Sequence, residues 1–138
     1  MIYICSARNR KRRGTCDWYH TEAPWAKVII VQRPFSHLSV GPIIPLRPDE
    51  AVDAAVKEYK RWLFNTLLIH PAAKHEFTHI LDVLMQEGDI VLQCSCLPTK
   101  SCHSLIIRDA LLWAERFGLE GWYDQLRLIK TGNKRNVP

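Results

Sequence analysis

Hydrophobic positions fall into three short runs and three longer stripes. Residues 2–5, Ile-Tyr-Ile-Cys, alternate weakly in β-forming side chains and predict a first strand. Residues 27–32 are almost unbroken in β-branched apolar side chains, the pattern of a central strand covered on both faces, and they stop at Arg33-Pro34. A third run, residues 89–93, follows Gly88. Between the last two runs, Val52, Ala55, Val56, Tyr59, Trp62 and Leu63 recur on one helical face. That helix starts at Pro48-Asp49-Glu50, where a proline lacking N–H and two acids suit a first turn, and extends to about Leu68. Phe77, Ile80, Leu81, Leu84 and Met85 form a second stripe that ends at Gly88. A helix pair between two strands is a crossover, which makes strands 27–32 and 89–93 parallel. The third stripe, from Leu105 to Phe117, predicts a helix up to Gly118. Gly118 and Gly121 then break the chain, and residues 122–129 read equally well as a helix or an edge strand.

The resulting expectation is an α/β fold: a single small domain over residues 1–129, its mostly parallel sheet flanked by helices. A basic loop over 8–25 is inserted after the first strand, and 130–138 form a basic tail. With 138 residues the chain buries enough surface to fold without a bridge or cofactor. No apolar run approaches the ~18 residues that span a bilayer, so no membrane partner is expected. The apolar residues 1–5 precede the basic ones, the wrong order for a secretory signal, which points to the cytoplasm of a bacterium or a phage-infected host.

The net charge of +5 is unevenly placed. Arg8, Arg10, Lys11, Arg12 and Arg13 crowd one loop, while Lys130, Lys134 and Arg135 occupy the tail, which leaves the rest of the chain near neutral. The loop is a candidate contact for nucleic acid or a host protein, since a few phosphate contacts give weak, salt-sensitive binding. The competing reading is a solvated loop, because no aromatic side chains interleave the basic ones in a recognised pattern.

Chemistry concentrates between the third run and the third stripe. Three of the five cysteines, Cys94, Cys96 and Cys102, lie there with Pro98, Thr99, Lys100, Ser101, His103 and Ser104. Strand, turn and helix succeed one another, and in open α/β sheets ligands bind where the carboxyl ends of strands meet the N–H groups of the next helix. The loop after residue 34, rich in proline, leaves the same edge if the chain is doubly wound, and would let His37 or Ser39 face the site.

The motif Cys94-Ser-Cys96-Leu-Pro98 followed by Cys102-His103 resembles the signature of the family catalogued as domain of unknown function 4326, seen in bacteria and their phages. Glu50-Ala51-Val52, Tyr59 and Trp62-Leu63 resemble that family's helix, and residues 28–34 its earlier strand and arginine turn, so the likeness covers roughly residues 27–115. Gln32 stands where the family has glycine, and Gly41-Pro42 where it has Gly-Asn-Pro. The resemblance implies a Rossmann-like fold and supplies no established reaction.

Four readings of the loop follow from its residues. In the first, it binds a small anionic ligand such as a nucleotide or nucleoside derivative, with Arg33 and Lys100 as countercharges and Thr99, Ser101 and Ser104 as hydroxyl donors. No dinucleotide or Walker fingerprint is present. In the second, Cys94, Cys96, Cys102 and His103 serve a thiol-dependent enzyme, a helix N-terminus and Lys100 lowering a thiol pKa. In the third, those same four residues hold zinc, although two ligand pairs from separated segments are the usual structural arrangement. In the fourth, the cysteines are small apolar fillers and His103 merely starts a helix. His75-Glu76-Phe77-Thr78-His79 has the spacing of a zinc-protease helix, but no third ligand lies near it in sequence.

Overall fold

The computed structural model describes residues 1–6, 25–31, 36–38, 50–94 and 103–130. Three strands, β1 (Ile2–Ser6), β2 (Lys27–Ile30) and β3 (Ile90–Cys94), form a parallel sheet in the order β1-β3-β2. Four helices follow the same chain: α1 (Glu50–Ile69), α2 (Pro71–Glu87), α3 (His103–Glu115) and α4 (Gly118–Lys130). The α/β class and the parallel pairing across the α1–α2 crossover agree with the sequence reading.

The centre of the sheet does not. The expected central strand, residues 27–32, pairs only with β3 among the described residues, and β3 takes the middle place. Ile90, Val91 and Leu92 are fully buried, whereas Val28 and Ile29 are half-buried and Ile30 is 51% exposed. β-Branched side chains favour extended backbone wherever they sit, so such a run reports a strand without reporting its neighbours.

Register and alternation divide the sheet into two faces. Ile2, Ile90, Leu92, Ile29 and Val31 join the core cluster built from residues of all four helices, so the described helices pack on one face. Leu63 and Leu67 of α1, Phe77 and Leu81 of α2, Ile107 and Leu111 of α3, and Trp122 of α4 fill that core. The Phe77 and Trp122 rings lie 4.7 Å apart. Tyr123 of α4 donates its hydroxyl to the Leu68 carbonyl (3.0 Å) and takes the Lys74 ammonium on its ring face, which ties α4 to the α1–α2 junction.

Helix ends follow local chemistry. His70 caps α2, its Nδ1 accepting from the Ala73 amide at 3.3 Å, with Pro71 next in the chain at the first turn. Gly88 stops α2 at φ 81°, its amide donating to the Leu84 carbonyl at 2.8 Å, as the glycine position required. Gly118 likewise takes φ 80° as the first residue of α4, after the break from α3, but Gly121 lies inside α4 and breaks nothing. Residues 122–129 are helical because Trp122, Leu126 and Ile129 recur at helical spacing against the core. Met85, assigned to the apolar stripe of α2, is 47% exposed and falls just outside the buried sector. No helix among the described residues is long and apolar enough to cross a membrane.

Candidate functional site

The carboxyl edge of the sheet is built from the ends of three parallel strands. β1 and β3 finish side by side at Ser6 and Cys94, and pairing on the β2 side runs one residue past the strand, the Val31 amide donating to the Gln93 carbonyl at 2.8 Å. The chain leaves the middle of this edge at Cys94 and returns as α3 at His103.

α3 can begin deep in the fold because its first turns are apolar on most sides: Ile106, Ile107, Ala110 and Leu111 are all buried. His103 opens it as a buried polar residue, with Nε2 2.9 Å from the Val31 carbonyl at the end of β2. A carbonyl only accepts, so Nε2 carries the proton and donates. This bond joins the first residue of α3 to the residue that follows β2. The Tyr59 ring stands edge-on to the His103 ring, 6.0 Å between centroids.

Tyr59 links the site to a second segment. Its ring is buried within α1 and its hydroxyl donates to the Leu38 carbonyl. Residues 36–38 are held from the other side by Glu76 of α2, which accepts from the Ser36 hydroxyl through one carboxylate oxygen and from the His37 amide (3.1 Å) through the other. The Leu38 amide donates to Ser36 Oγ at 3.1 Å and closes the turn. Ser36 and Leu38 are buried while His37 is exposed, its ring 5.6 Å from that of His70.

Of the residues singled out from the sequence, the structure brings His103 and Ser104 to the start of α3, where Ser104 is fully buried. Cys94 is the last residue of β3, paired with Ser6. Cys96, Thr99, Lys100, Ser101, Cys102 and Arg33 lie outside the described residues, as do Arg8, Arg10, Lys11, Arg12, Arg13 and Ser39. His75 and His79 are exposed on α2, and Glu76 between them is engaged with the 36–38 turn. Among the described residues no group of three or more His, Cys, Asp or Glu side chains is placed to hold a metal ion.

The sequence names Tyr59 only in an apolar stripe and a family likeness, and Glu76 only within the zinc-protease spacing; neither reading gives the role it has here. Tyr59 was absorbed into an apolar stripe, yet a tyrosine in such a stripe carries a hydroxyl that needs a partner once buried, and that was the available signal. The bonds of Glu76 to the 36–38 turn carry no local signal, because its partners lie 39 and 40 residues away along the chain. No family model, curated protein or solved structure matches this chain, so the site is read from its own geometry.

Proposed function

We propose that the carboxyl edge of the sheet binds a small anionic ligand, a nucleotide or nucleoside derivative, at the turn from Cys94 to His103, in a Rossmann-like domain working in the cytoplasm. One observation carries this reading. The central parallel strand runs out between two parallel neighbours, and the next helix begins at a buried His103 bonded to the end of β2. That arrangement sets the amino end of a 13-residue helix beside the end of β2, at the edge where open α/β sheets take their ligands. Lys100 and Arg33 supply the countercharges, and Thr99 and Ser101 the hydroxyls, from the two segments that leave this edge. The likeness of Cys94-Ser-Cys96-Leu-Pro98 and Cys102-His103 to the 4326 family belongs to the same reading.

Equilibrium dialysis against nucleoside mono-, di- and triphosphates tests it. Saturable binding is expected, weakened about tenfold or more by Lys100→Ala and by Arg33→Ala, since each removes a charge-assisted contact. Absence of binding at millimolar nucleotide would defeat the reading. Zinc bound stoichiometrically by Cys94, Cys96, Cys102 and His103, or one fast-reacting thiol with no nucleotide affinity, would replace it with the metal or thiol alternative. Oligonucleotide binding lost on neutralising Arg10, Lys11, Arg12 and Arg13, with nucleotides inert, would move function to the basic loop.

A further inference from the structure

Val31 and the turn 36–38 are held by side chains from three different helices. His103 of α3 donates to the Val31 carbonyl (2.9 Å), Glu76 of α2 receives the Ser36 hydroxyl and the His37 amide (3.1 Å), and Tyr59 of α1 donates to the Leu38 carbonyl. The Tyr59 and His103 rings meet edge to face, so two of the three supports also brace one another. Val31, Leu38, Tyr59 and His103 are buried, which makes the His103–Val31 and Tyr59–Leu38 bonds expensive to break, while the Glu76 bonds to Ser36 and His37 are partly buried and exposed.

Core packing alone does not call for this. A leucine at position 103 and a phenylalanine at 59 would fill similar space, and neither would hold a loop carbonyl. The three side chains share one feature: each bonds backbone, or a side chain next to it, in the segment that follows β2 at the carboxyl edge. We infer that His103, Tyr59 and Glu76 are positioning residues that hold Val31 and the 36–38 turn as a preformed wall of the ligand site. This assignment rests on the reading of that edge as a ligand site. The wall presents one exposed described side chain, His37, with its backbone amide anchored on Glu76. Preorganisation of this kind raises affinity by removing the ordering cost at the moment of binding.

Amide hydrogen exchange on the full chain, paired with nucleotide dialysis, tests the assignment. In Glu76→Ala the His37 and Leu38 amides are expected to exchange about tenfold faster, while the Val31 amide, bonded in the sheet ladder, keeps its rate. Tyr59→Phe keeps the ring on His103 but releases the Leu38 carbonyl, and is expected to loosen the turn and accelerate the His37 and Leu38 amides by a smaller factor. Glu76→Gln, which retains an acceptor oxygen, is expected to restore part of the protection, and this variant and Tyr59→Phe carry the test if Glu76→Ala fails to fold. Nucleotide affinity is expected to fall several-fold in step with the loosened amides. Unchanged exchange at His37 and Leu38 overturns the inference, and so does faster exchange with undiminished affinity. If the wild-type chain binds no nucleotide, the ligand reading fails on its own, and faster exchange at these two amides still supports the clamp.

Discussion

The two edges of the sheet solve the same problem in opposite ways. At the amino edge, the residue before β3, Asp89, receives the Met1 ammonium at 2.9 Å and the Trp25 indole N–H at 2.6 Å, so one carboxylate gathers the starts of all three strands. These groups are open to solvent, with Met1 and Trp25 more than half exposed. At the carboxyl edge, the chain ends are gathered by His103, Tyr59 and Glu76, and most of the groups involved are buried. An exposed ionic knot can open and close against water at little cost, and salt screens it. A buried polar network has no such alternative partner, so it keeps one conformation. The difference marks the carboxyl edge as the one whose geometry is held.

The comparison breaks if substitutions at the amino edge prove the more damaging. The largest effect is expected from His103→Leu, which withdraws the Val31 carbonyl's buried donor and alters packing beside Tyr59, at about 2–4 kcal/mol in urea unfolding. Tyr59→Phe removes one hydroxyl from the buried Leu38 carbonyl and should cost about 1–2 kcal/mol by the same measurement. His70→Asn exchanges an imidazole cap with a long bond for a preferred capping amide, and an increase of about 0.5 kcal/mol is expected. The smallest change is expected from Trp25→Phe, within about 0.5 kcal/mol, because the indole is exposed.

Asp89 sharpens the comparison through pH. Its hydrogen bond from the Met1 ammonium, then that from Trp25, hold its carboxyl below the usual value of 3.8 against a smaller opposing effect of burial. A carboxylate whose folded-state pKa is depressed contributes stability that is complete above its unfolded value and is lost as pH falls through the folded one. Asp89→Asn should therefore flatten the acid limb of the stability curve below that value and leave the neutral limb nearly parallel to wild type. High salt should shrink the difference, as expected of an exposed pair. A neutral-pH loss exceeding that of His103→Leu would invert the account of the two edges.

Long periodic segments were readable in advance, and long-range partnerships were not. The stripes behind α1, α2 and α3 are repeated many times over within one element, so each announces itself. β2 was readable as a strand, but its place beside β3 depends on how the crossover returns, which no local run of valine and isoleucine encodes. Gly121 reads as a breaker, yet glycine disfavours helix by only about 1 kcal/mol, a penalty that Trp122 and Leu126 outweigh by packing into the core. At the site, the turn from strand to helix was legible in Cys94 and His103, since both lie where an apolar run ends or a stripe begins. The partners of His103 were not, because Val31 is 72 residues away and Tyr59 looked like filler.

The most direct measurement is a nucleotide titration of the isotopically labelled chain followed by backbone amide shifts. The account predicts saturable changes at the start of α3, from His103 to Ile106, together with Val31, His37 and Leu38, and none at Trp25, Asp89 or Ile90. Shifts confined to the amino edge, or no saturable shift at millimolar nucleotide, would contradict it.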